Sequence, residues 1–265
     1  MREKVRKIEV YPVYGVPKIK PGDDIAKHIA SRFDFEDGDV LVICSTAVAK
    51  AEGRIKNLEE IKPSNVALEI ARRTNNDPRV IQAALDESDE ILIDKPFLLV
   101  RRKDGNICVN AGVDRSNVEE GKIVLPLTDA DKIARKIRKR IEELTGKKVA
   151  VLITDSEGRC FRKGIVGFAV GCAGLKAFRS WIGEKDLYGN VLKKTVECIV
   201  DEIAAFANLI MGEGNYGIPA VIFRGLNMLN LLDDESCSLK DVLREEHKDL
   251  ILQALREIRD CPDFI

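Results

Sequence analysis

Histidine is scarce in this sequence, which has only two, His28 and His247, each within a helix-like segment. A metal centre built from several histidines and a Ser-His-Asp triad therefore have too few residues to draw on. Any metal ion must then be held by oxygen ligands, which favours hard cations such as Mg²⁺ or Mn²⁺.

The cysteines form no CxxC pair of the kind that binds metals or carries out redox chemistry. The seven are scattered, mostly in apolar runs, at positions 44, 108, 160, 172, 198, 237 and 261. Buried free thiols in a reducing compartment account for this pattern better than a zinc site or a disulfide framework.

A strong net charge is also absent, since 43 Lys and Arg residues balance 44 Asp and Glu residues. The basic run Lys132–Arg140 alternates with isoleucine and alanine at helical spacing, which favours a solvated helix face over a nucleic-acid patch. No apolar run approaches the length of a membrane span, and the first residues do not resemble a signal peptide. We expect a cytoplasmic protein that binds neither nucleic acid nor membrane.

The spacing of apolar residues predicts a mixture of strands and helices. Strands are predicted at 8–14, 39–43, 90–93, 97–102, 106–111, 149–154 and 219–223, with a further apolar, glycine-flanked run at 165–170. Helices are predicted at 25–32, 63–74, 78–85, 129–144, 192–210 and 239–256. Because the strands come in hairpin-like clusters rather than strict βαβ alternation, we expect an α+β fold with mixed sheets and flanking helices.

Polar residues at the ends of two predicted strands are candidates for a functional site. Ser45 and Thr46 precede a helix-like segment that contains Lys50, so their hydroxyls could cap that helix or bind an anion there. Asp114, with Asn117 close behind, follows the strand at 106–111. A simple Asx turn is the alternative to a binding site at Asp114.

The strongest local signal is the segment TDSEGR, which begins at Thr154 where the strand at 149–154 ends. An acid such as Asp155 at the carboxyl end of a strand is well placed to bind a metal ion or a phosphate. Arg159, Arg162 and Lys163 follow, and guanidinium groups match phosphate oxygens in geometry. A solvated turn is the alternative interpretation.

A glycine loop, GEGNYG from Gly212 to Gly217, matches GxGxxG letter by letter. The dinucleotide fingerprint requires a strand before this motif and a helix after it. Here the predicted helix comes first and the predicted strand second, so the Rossmann interpretation fails. Two alternatives remain, a helix-ending glycine turn and a loop whose backbone approaches a ligand closely, with Glu213 inside it.

Catalytic motifs of common enzyme classes are missing, since there is no Walker A sequence, kinase-type loop or GxSxG elbow. The residues alone therefore indicate an α+β enzyme with a carboxylate-held divalent metal and a phosphate-bearing ligand.

Six longer blocks of sequence carry a resemblance to a known family. In chain order, over about Tyr11 to Asn227, they read YGVPKIKPGDD, CSTAVAKAEGR, CVNAGVDRSNV, ITDSEGRCFRKG, WIGEKDLYG and DEIAAFANLIMGEGNYGIPAVIFRGLN. Together they resemble the coenzyme F420-0:γ-glutamyl ligase family. The helical, charged segment 228–265 matches no motif.

This resemblance implies a reaction and its requirements. Family members add L-glutamate, through its α-amino group, to the carboxylate of the deazaflavin precursor F420-0, and then add a second glutamate in γ-linkage. Each addition is implied to convert GTP to GDP and phosphate with Mg²⁺ or Mn²⁺, and K⁺ is a further candidate cation. The implied fold is an unusual α+β ligase fold, a single catalytic unit of two interleaved subdomains that forms an intertwined homodimer.

The same resemblance implies two groups of site residues at matching positions. The metal ligands are Asp114, Asp155, Ser156 and Glu213, and the three carboxylates among them are the catalytic residues. The GTP contacts are Val16, Pro17, Lys18, Ile19, Ser45, Thr46, Lys50, Asn117, Met211, Gly212, Glu213, Gly214, Asn215, Tyr216, Gly217 and Ile218. Members often have threonine at the position of Ser156, and both residues offer a hydroxyl.

The expected mechanism passes through an acyl phosphate. Phosphoryl transfer from GTP would activate the carboxylate for attack by the amine, so alignment and charge neutralisation are the main tasks of the protein. Lys50, Arg159 and Lys163 are candidates to offset the remaining charge. The alternatives are a related ligase with another acceptor, amino acid or nucleotide, a nicotinamide or flavin oxidoreductase, and a non-catalytic cofactor-binding protein.

Overall fold

The computed structural model describes residues 7–226, 231–232 and 238–261. The chain divides into two compact units. Unit 1 comprises Met1–Ile19, Asp23–Val48 and Asp129–Val242, and unit 2 comprises Lys20–Gly22, Ala49–Thr128 and Leu243–Ile265. Neither unit is therefore one continuous stretch of sequence. The expectation of a single catalytic unit stays a prediction.

Strands and helices alternate irregularly along the described residues. The strands are β1 (Glu9–Pro12), β2 (Val40–Cys44), β3 (Ile55–Asn57), β4 (Ser88–Ile93), β5 (Leu99–Arg102), β6 (Ile107–Val109), β7 (Lys122–Val124), β8 (Ala150–Gly158), β9 (Ile165–Ala173), β10 (Phe178–Ser180), β11 (Val196–Cys198) and β12 (Ala220–Arg224). The helices are α1 (Ile25–Ala30), α2 (Ser45–Ala51), α3 (Asn65–Thr74), α4 (Pro78–Asp86), α5 (Ala130–Thr145), α6 (Ile199–Met211) and α7 (Leu250–Asp260).

Unit 1 is built on a five-stranded sheet with the strand order β1-β12-β2-β8-β9. Strands β2 and β8 run parallel, and the other neighbours run antiparallel. Three smaller sheets, β10-β11, β3-β7 and β4-β5-β6, are antiparallel. The prediction of an α+β fold with mixed sheets and flanking helices is confirmed.

Two glycines on β9 allow helices α5 and α6 to pack closely on the unit 1 sheet. A Cβ atom added at Gly171 would lie 2.6 Å from the carbonyl oxygen of Ala130, the first residue of α5. A Cβ atom at Gly167 would lie 2.6 Å from the Cβ of Asn208 on α6. Both distances are shorter than atoms tolerate, so these approaches require glycine.

A β-bulge at Val170 turns these two glycines to opposite faces of the sheet. Side chains alternate along a strand, so residues four apart would otherwise share a face. Opposite β8, however, Ala169 pairs with Thr154 and Gly171 pairs with the adjacent Ile153, which leaves Val170 as an extra residue. As a result one glycine meets α6 and the other meets α5.

Unit 2 has its own apolar core, formed by α3, α4 and the sheet β4-β5-β6. Ile81, Leu98 and Val100 are fully buried there. Helix α7 is joined to β4 by ion pairs, because Glu90 accepts hydrogen bonds from Arg256 and Arg259. These hydrogen bonds, above all those from Arg256, lower the pKa of Glu90 to about 2.

The predicted helix at 192–210 is wrong in its first third. Helix α6 begins only at Ile199, and Val196–Cys198 is strand β11, paired with β10. The hairpin between β10 and β11 was not predicted. Acidic Asp201 and Glu202 lie in the first turn of α6, where they favour a helix N-terminus.

The predicted helix at 239–256 is also wrong in its first half. Short 3₁₀ helices occupy Leu239–Asp241 and Glu246–Lys248, and α7 begins at Leu250. The side chain of Asp249 accepts hydrogen bonds from two backbone N–H groups of the first turn and so caps the helix there. A local cap, rather than the apolar spacing, sets this boundary.

Several expectations concern the composition of the chain. The six described cysteines form no disulfide; Cys108 and Cys172 are buried, whereas Cys160 is exposed. Cys237, Asn227 and parts of the segment 228–265 lie outside the described residues. In the described part of the chain, no helix has the length and apolar character needed to cross a membrane.

Candidate active site

Two carboxylates of unit 1 are held by one residue, Ser156. Its backbone N–H donates to Oδ1 of Asp155 at 2.8 Å, and its hydroxyl donates to Oε2 of Glu213 at 3.2 Å. Asp155 and Ser156 are half-buried, whereas Glu213 is exposed. Hydrogen bonds of Ser156 thus link three of the four sequence-predicted metal ligands.

Asp155 and Ser156 lie on a strand, and the interpretation of this segment as a turn is wrong. Strand β8 continues past the predicted end to Gly158, because β9 is long enough to pair with all of it. Asp155 lies opposite Phe168, and Ser156 lies opposite Gly167. The pairing with β9 gives these two side chains a rigid base, whereas the pairing of β8 with β2 ends at Thr154.

Asn208 on α6 also contacts the site, although the sequence did not predict it as a site residue. Its side-chain amide donates to Oε1 of Glu213 at 2.8 Å. An asparagine in the otherwise apolar run AAFANLIM is the signal that could have indicated this role.

The glycine loop begins as a helix cap. Gly212 has a φ of 67°, and its N–H donates to the carbonyl oxygen of Asn208 at 2.9 Å, which ends α6. A Cβ atom at Gly212 would lie 2.7 Å from the ring of Tyr216, so the ring folds over this glycine. The loop follows α6 and precedes β12, and this order confirms that it is not a dinucleotide fingerprint.

Asp114 lies in unit 2 and is fixed through its backbone. Its N–H and C=O groups both bond to Val124, at 3.0 and 2.9 Å. Its carboxylate accepts hydrogen bonds from the N–H and the hydroxyl of Ser116, both at 2.7 Å. An Asx turn is therefore present, and each carboxylate oxygen keeps a further lone pair for a ligand.

The backbone before Asp114 is strained. Asn110, Ala111 and Gly112 follow one another with φ values of 50°, 54° and 73°. Ala111 is completely buried, and a left-handed conformation is costly for a residue with a Cβ atom. Such strain is concentrated at functional sites, where the surrounding structure holds it in place.

Lys50 and Asn117, both predicted GTP contacts, bind each other in unit 2. The ammonium of Lys50, on α2, donates to the backbone oxygen of Asn117, which has a left-handed φ of 50°. Ser45 and Thr46 occupy the first turn of α2 and are half-buried. Val16–Ile19 lies in a loop after β1, where Pro17 and Lys18 are exposed.

A cationic loop, residues 159–164, connects β8 to β9. Arg159, Arg162 and Lys163 are exposed, and among the described residues none of the three forms an ion pair. Phe161 in the same loop is 92% exposed and has a φ of 68°. The strand that carries Asp155 thus leads directly into a positively charged tip.

Glu213 and Asp114 each have only neutral hydrogen-bond donors, since no described lysine or arginine pairs with either. No three histidine, cysteine, aspartate or glutamate side chains of the described ranges gather into a group that could hold a metal. Unit 1 supplies two carboxylates and a hydroxyl. That donor set fits Mg²⁺, which proteins often bind through one or two carboxylates together with waters and substrate phosphates.

Comparison with known proteins shows to which family this chain belongs. The model of the F420-0:gamma-glutamyl ligase family matches residues 15–225. The chain belongs to this family. The resemblance found in the sequence is thereby confirmed. Asp114, Asp155 and Glu213 all lie within the range that the family model matches.

Curated relatives agree with the F420-0:gamma-glutamyl ligase assignment. A coenzyme F420:L-glutamate ligase of Archaeoglobus fulgidus is 58% identical over 250 residues, 94% of this chain and 98% of the relative. Proteins of the same name from Methanosarcina mazei and Methanocaldococcus jannaschii are 46% and 45% identical, over 96% and 86% of this chain and 99% and 92% of the relatives. The chain is therefore an enzyme, a ligase that forms a peptide-type bond.

Proposed function

We propose that this ligase joins the α-amino group of L-glutamate to the carboxylate of F420-0, and then adds a second glutamate in γ-linkage. The names of the relatives, one of them 58% identical over nearly the whole chain, support the two substrates. The observation that best supports a metal- and phosphate-dependent reaction is that Ser156 in unit 1 donates hydrogen bonds to two carboxylates, Asp155 and Glu213. Such a pair suits a reaction in which phosphate groups must be bound.

Asp155, Ser156 and Glu213 are the residues that would hold Mg²⁺ or Mn²⁺ in unit 1. The cation would neutralise phosphate charge and polarise phosphoryl oxygens. Asp114 lies in unit 2, and its role as a ligand stays a prediction of the family resemblance. K⁺ stays a further candidate cation.

GTP is the proposed energy source. Its proposed contacts are Val16, Pro17, Lys18, Ile19, Ser45, Thr46, Lys50 and Asn117, together with the loop from Met211 to Ile218. Gly217 has a left-handed φ, and a Cβ atom there would have no neighbour within 4 Å, so the loop backbone at this position can approach phosphate oxygens without a side chain between. The exposed cations of the 159–164 loop are available to bind an anionic substrate.

The proposed route is an acyl phosphate. A carboxylate does not form an amide with an amine at neutral pH unless its oxygen becomes a leaving group. Transfer of the γ-phosphoryl group of GTP to the carboxylate releases GDP, and attack by the glutamate amine then releases phosphate and one proton. This route requires alignment and charge neutralisation but no covalent nucleophile on the protein.

We also propose that the enzyme is a cytoplasmic homodimer. The hairpin from β10 to β11 exposes six large apolar side chains, among them Leu187 and Tyr188, which are 101% and 91% exposed. Large apolar side chains exposed in such number on one hairpin indicate an interaction site. We propose that a second copy of the chain binds this hairpin.

An omission assay tests the proposed reaction. Purified protein is mixed with GTP, Mn²⁺, L-glutamate and F420-0, and GDP release is measured with each component left out in turn. We expect release to require all four, with a γ-linked diglutamate product identified by mass spectrometry. Equal turnover with another amino acid or with ATP would contradict the stated substrates.

Isotope labelling in the same assay tests the acyl phosphate. With both carboxylate oxygens of F420-0 labelled with ¹⁸O, one label should appear in the released phosphate. Unlabelled phosphate would show that the carboxylate oxygen never bonds to phosphorus.

A further inference from the structure

The Glu213 carboxylate is held from two sides by neutral donors. The hydroxyl of Ser156 on β8 donates to Oε2 at 3.2 Å, and the amide of Asn208 on α6 donates to Oε1 at 2.8 Å. An ionised carboxylate can only accept, so Asn208 must present its NH₂ group. With one donor on each oxygen, the plane of the carboxylate is fixed while its remaining lone pairs stay available.

Asn208 reaches this place because β9 carries a glycine opposite it. A Cβ atom at Gly167 would lie 2.6 Å from the Cβ of Asn208 and 2.8 Å from the carbonyl oxygen of Ala204. Ser156 is the cross-strand partner of Gly167. The same close approach therefore brings α6 toward the strand that carries the other donor to Glu213.

Asn208 also determines where the glycine loop starts. Its backbone oxygen accepts the N–H of Gly212 at 2.9 Å, while its side chain holds the next residue, Glu213. One residue of α6 thus fixes both the backbone path into the loop and the direction of the carboxylate.

We propose that Asn208 is a positioning residue, which orients Glu213 toward the divalent cation, and that Gly167 sets the distance at which it acts. This rests on the proposed function, because it takes Glu213 as a metal ligand. Partners that orient a ligating carboxylate contribute about 10- to 100-fold to metal affinity. Asn208 would act on the cation only through Glu213, to which its side-chain amide donates.

Direct metal titration tests this role. Mn²⁺ binding is measured by electron paramagnetic resonance of the free ion for the parent, Asn208→Leu and Asn208→Ala. Leucine is branched at Cγ like asparagine but has no donor, and alanine removes the side chain beyond Cβ. We expect both variants to bind Mn²⁺ about 10- to 100-fold more weakly, with melting temperatures in the absence of metal close to that of the parent.

The metal dependence of turnover separates positioning from a merely structural role. In Asn208→Leu the Mn²⁺ concentration for half-maximal rate should rise by the same factor as the dissociation constant. Saturating Mn²⁺ should restore the rate to within about threefold of the parent. A structural role would instead lower the rate and the melting temperature together, without recovery at high metal.

A pair of glycine variants tests the spacing. Gly167→Ala forces α6 away from β9 and should weaken Mn²⁺ binding at least as much as Asn208→Leu. Gly158→Ala, on the neighbouring strand, is the matched control, because a Cβ atom there has no neighbour within 4 Å. The control should bind Mn²⁺ as the parent does.

Glu213→Gln distinguishes failure of this inference from failure of the proposed function. If Glu213→Gln loses Mn²⁺ binding but both Asn208 variants keep parental affinity, the positioning role is wrong and the metal site stands. If Glu213→Gln binds Mn²⁺ as tightly as the parent, the metal assignment is wrong and the positioning role falls with it.

Discussion

At the scale of single residues, Asp155→Asn removes a charge from the candidate site while keeping a side-chain oxygen that can accept a hydrogen bond. Oδ1 of Asp155 accepts the N–H of Ser156, and an asparagine oxygen can accept the same hydrogen bond. What asparagine removes is the negative charge. The substitution therefore probes the metal-binding role of the side chain rather than its part in the fold.

We expect Asp155→Asn to lower the rate of GDP release at least about 100-fold. The free energy of unfolding should change by less than about 0.5 kcal/mol, because strand β8 keeps its ladder. Stopped assays and thermal melts measure the two quantities. Glu202→Gln, an exposed acid on α6, is the control. Parental turnover in Asp155→Asn would remove this carboxylate from the active site.

At the scale of elements, the attachment of α7 to β4 depends on one carboxylate. Glu90 accepts hydrogen bonds from Arg256 and Arg259, and Arg101 lies 3.6 Å away. The hydrogen bonds from Arg256 and Arg259 hold the pKa of Glu90 at about 2, below its ordinary value of 4.5. Because the folded pKa is the lower one, this stabilisation is complete above pH 4.5 and is lost as the pH falls toward 2.

Glu90→Gln should lower the free energy of unfolding at pH 7 by about 1–3 kcal/mol. The variant should also lose less stability than the parent between pH 4.5 and 2, since its side chain does not titrate there. Glu69→Gln removes an exposed ion pair with Arg73 and should cost less than about 0.5 kcal/mol. Parallel pH profiles for Glu90→Gln and the parent would contradict the assigned role.

The boundaries of helices and strands show which parts of the fold could be predicted from the sequence. Helix α5, predicted at 129–144 and observed at Ala130–Thr145, has a strong apolar period and ends at Gly146. Strand β11 was not predicted, because it is stabilised by pairing with β10 and its three residues are too few to show a strand-like pattern of their own. The strand end predicted at residue 154 was wrong for the same reason, since pairing with β9 extends β8 to Gly158.

The candidate site could be predicted for a different reason, because each segment that contributes to it has polar residues at a predicted strand end or in a loop. Asp155 and Glu213 were found that way, whereas the family resemblance implied Ser156, and hydrogen bonds in the structure link the three residues. Asn208 and Gly167 were missed. Their roles depend on how closely α6 approaches β9, which a bulge and a missing side chain decide and no local pattern reveals.

At the scale of the whole molecule, the exposed hairpin predicts self-association. We expect the parent to sediment as a dimer and Leu187→Asp to sediment as a monomer with an unchanged melting transition, because the Leu187 side chain is fully exposed. Val66→Asp, at an exposed apolar position of α3, is the control and should remain a dimer. A monomeric parent, or a dimeric Leu187→Asp, would contradict the proposed interface.

The pairing of β1 with β12 has a consequence for how the protein is made. Strand β1 ends at Pro12, whereas its partner β12 begins only at Ala220 and separates it from β2 in the sheet. On the ribosome, β1 must therefore wait until most of the chain has been translated before it finds a partner. Contacts so distant in sequence slow folding and leave strand edges open to aggregation. The nascent chain is thus a natural client for chaperones that shield exposed strands until synthesis is complete.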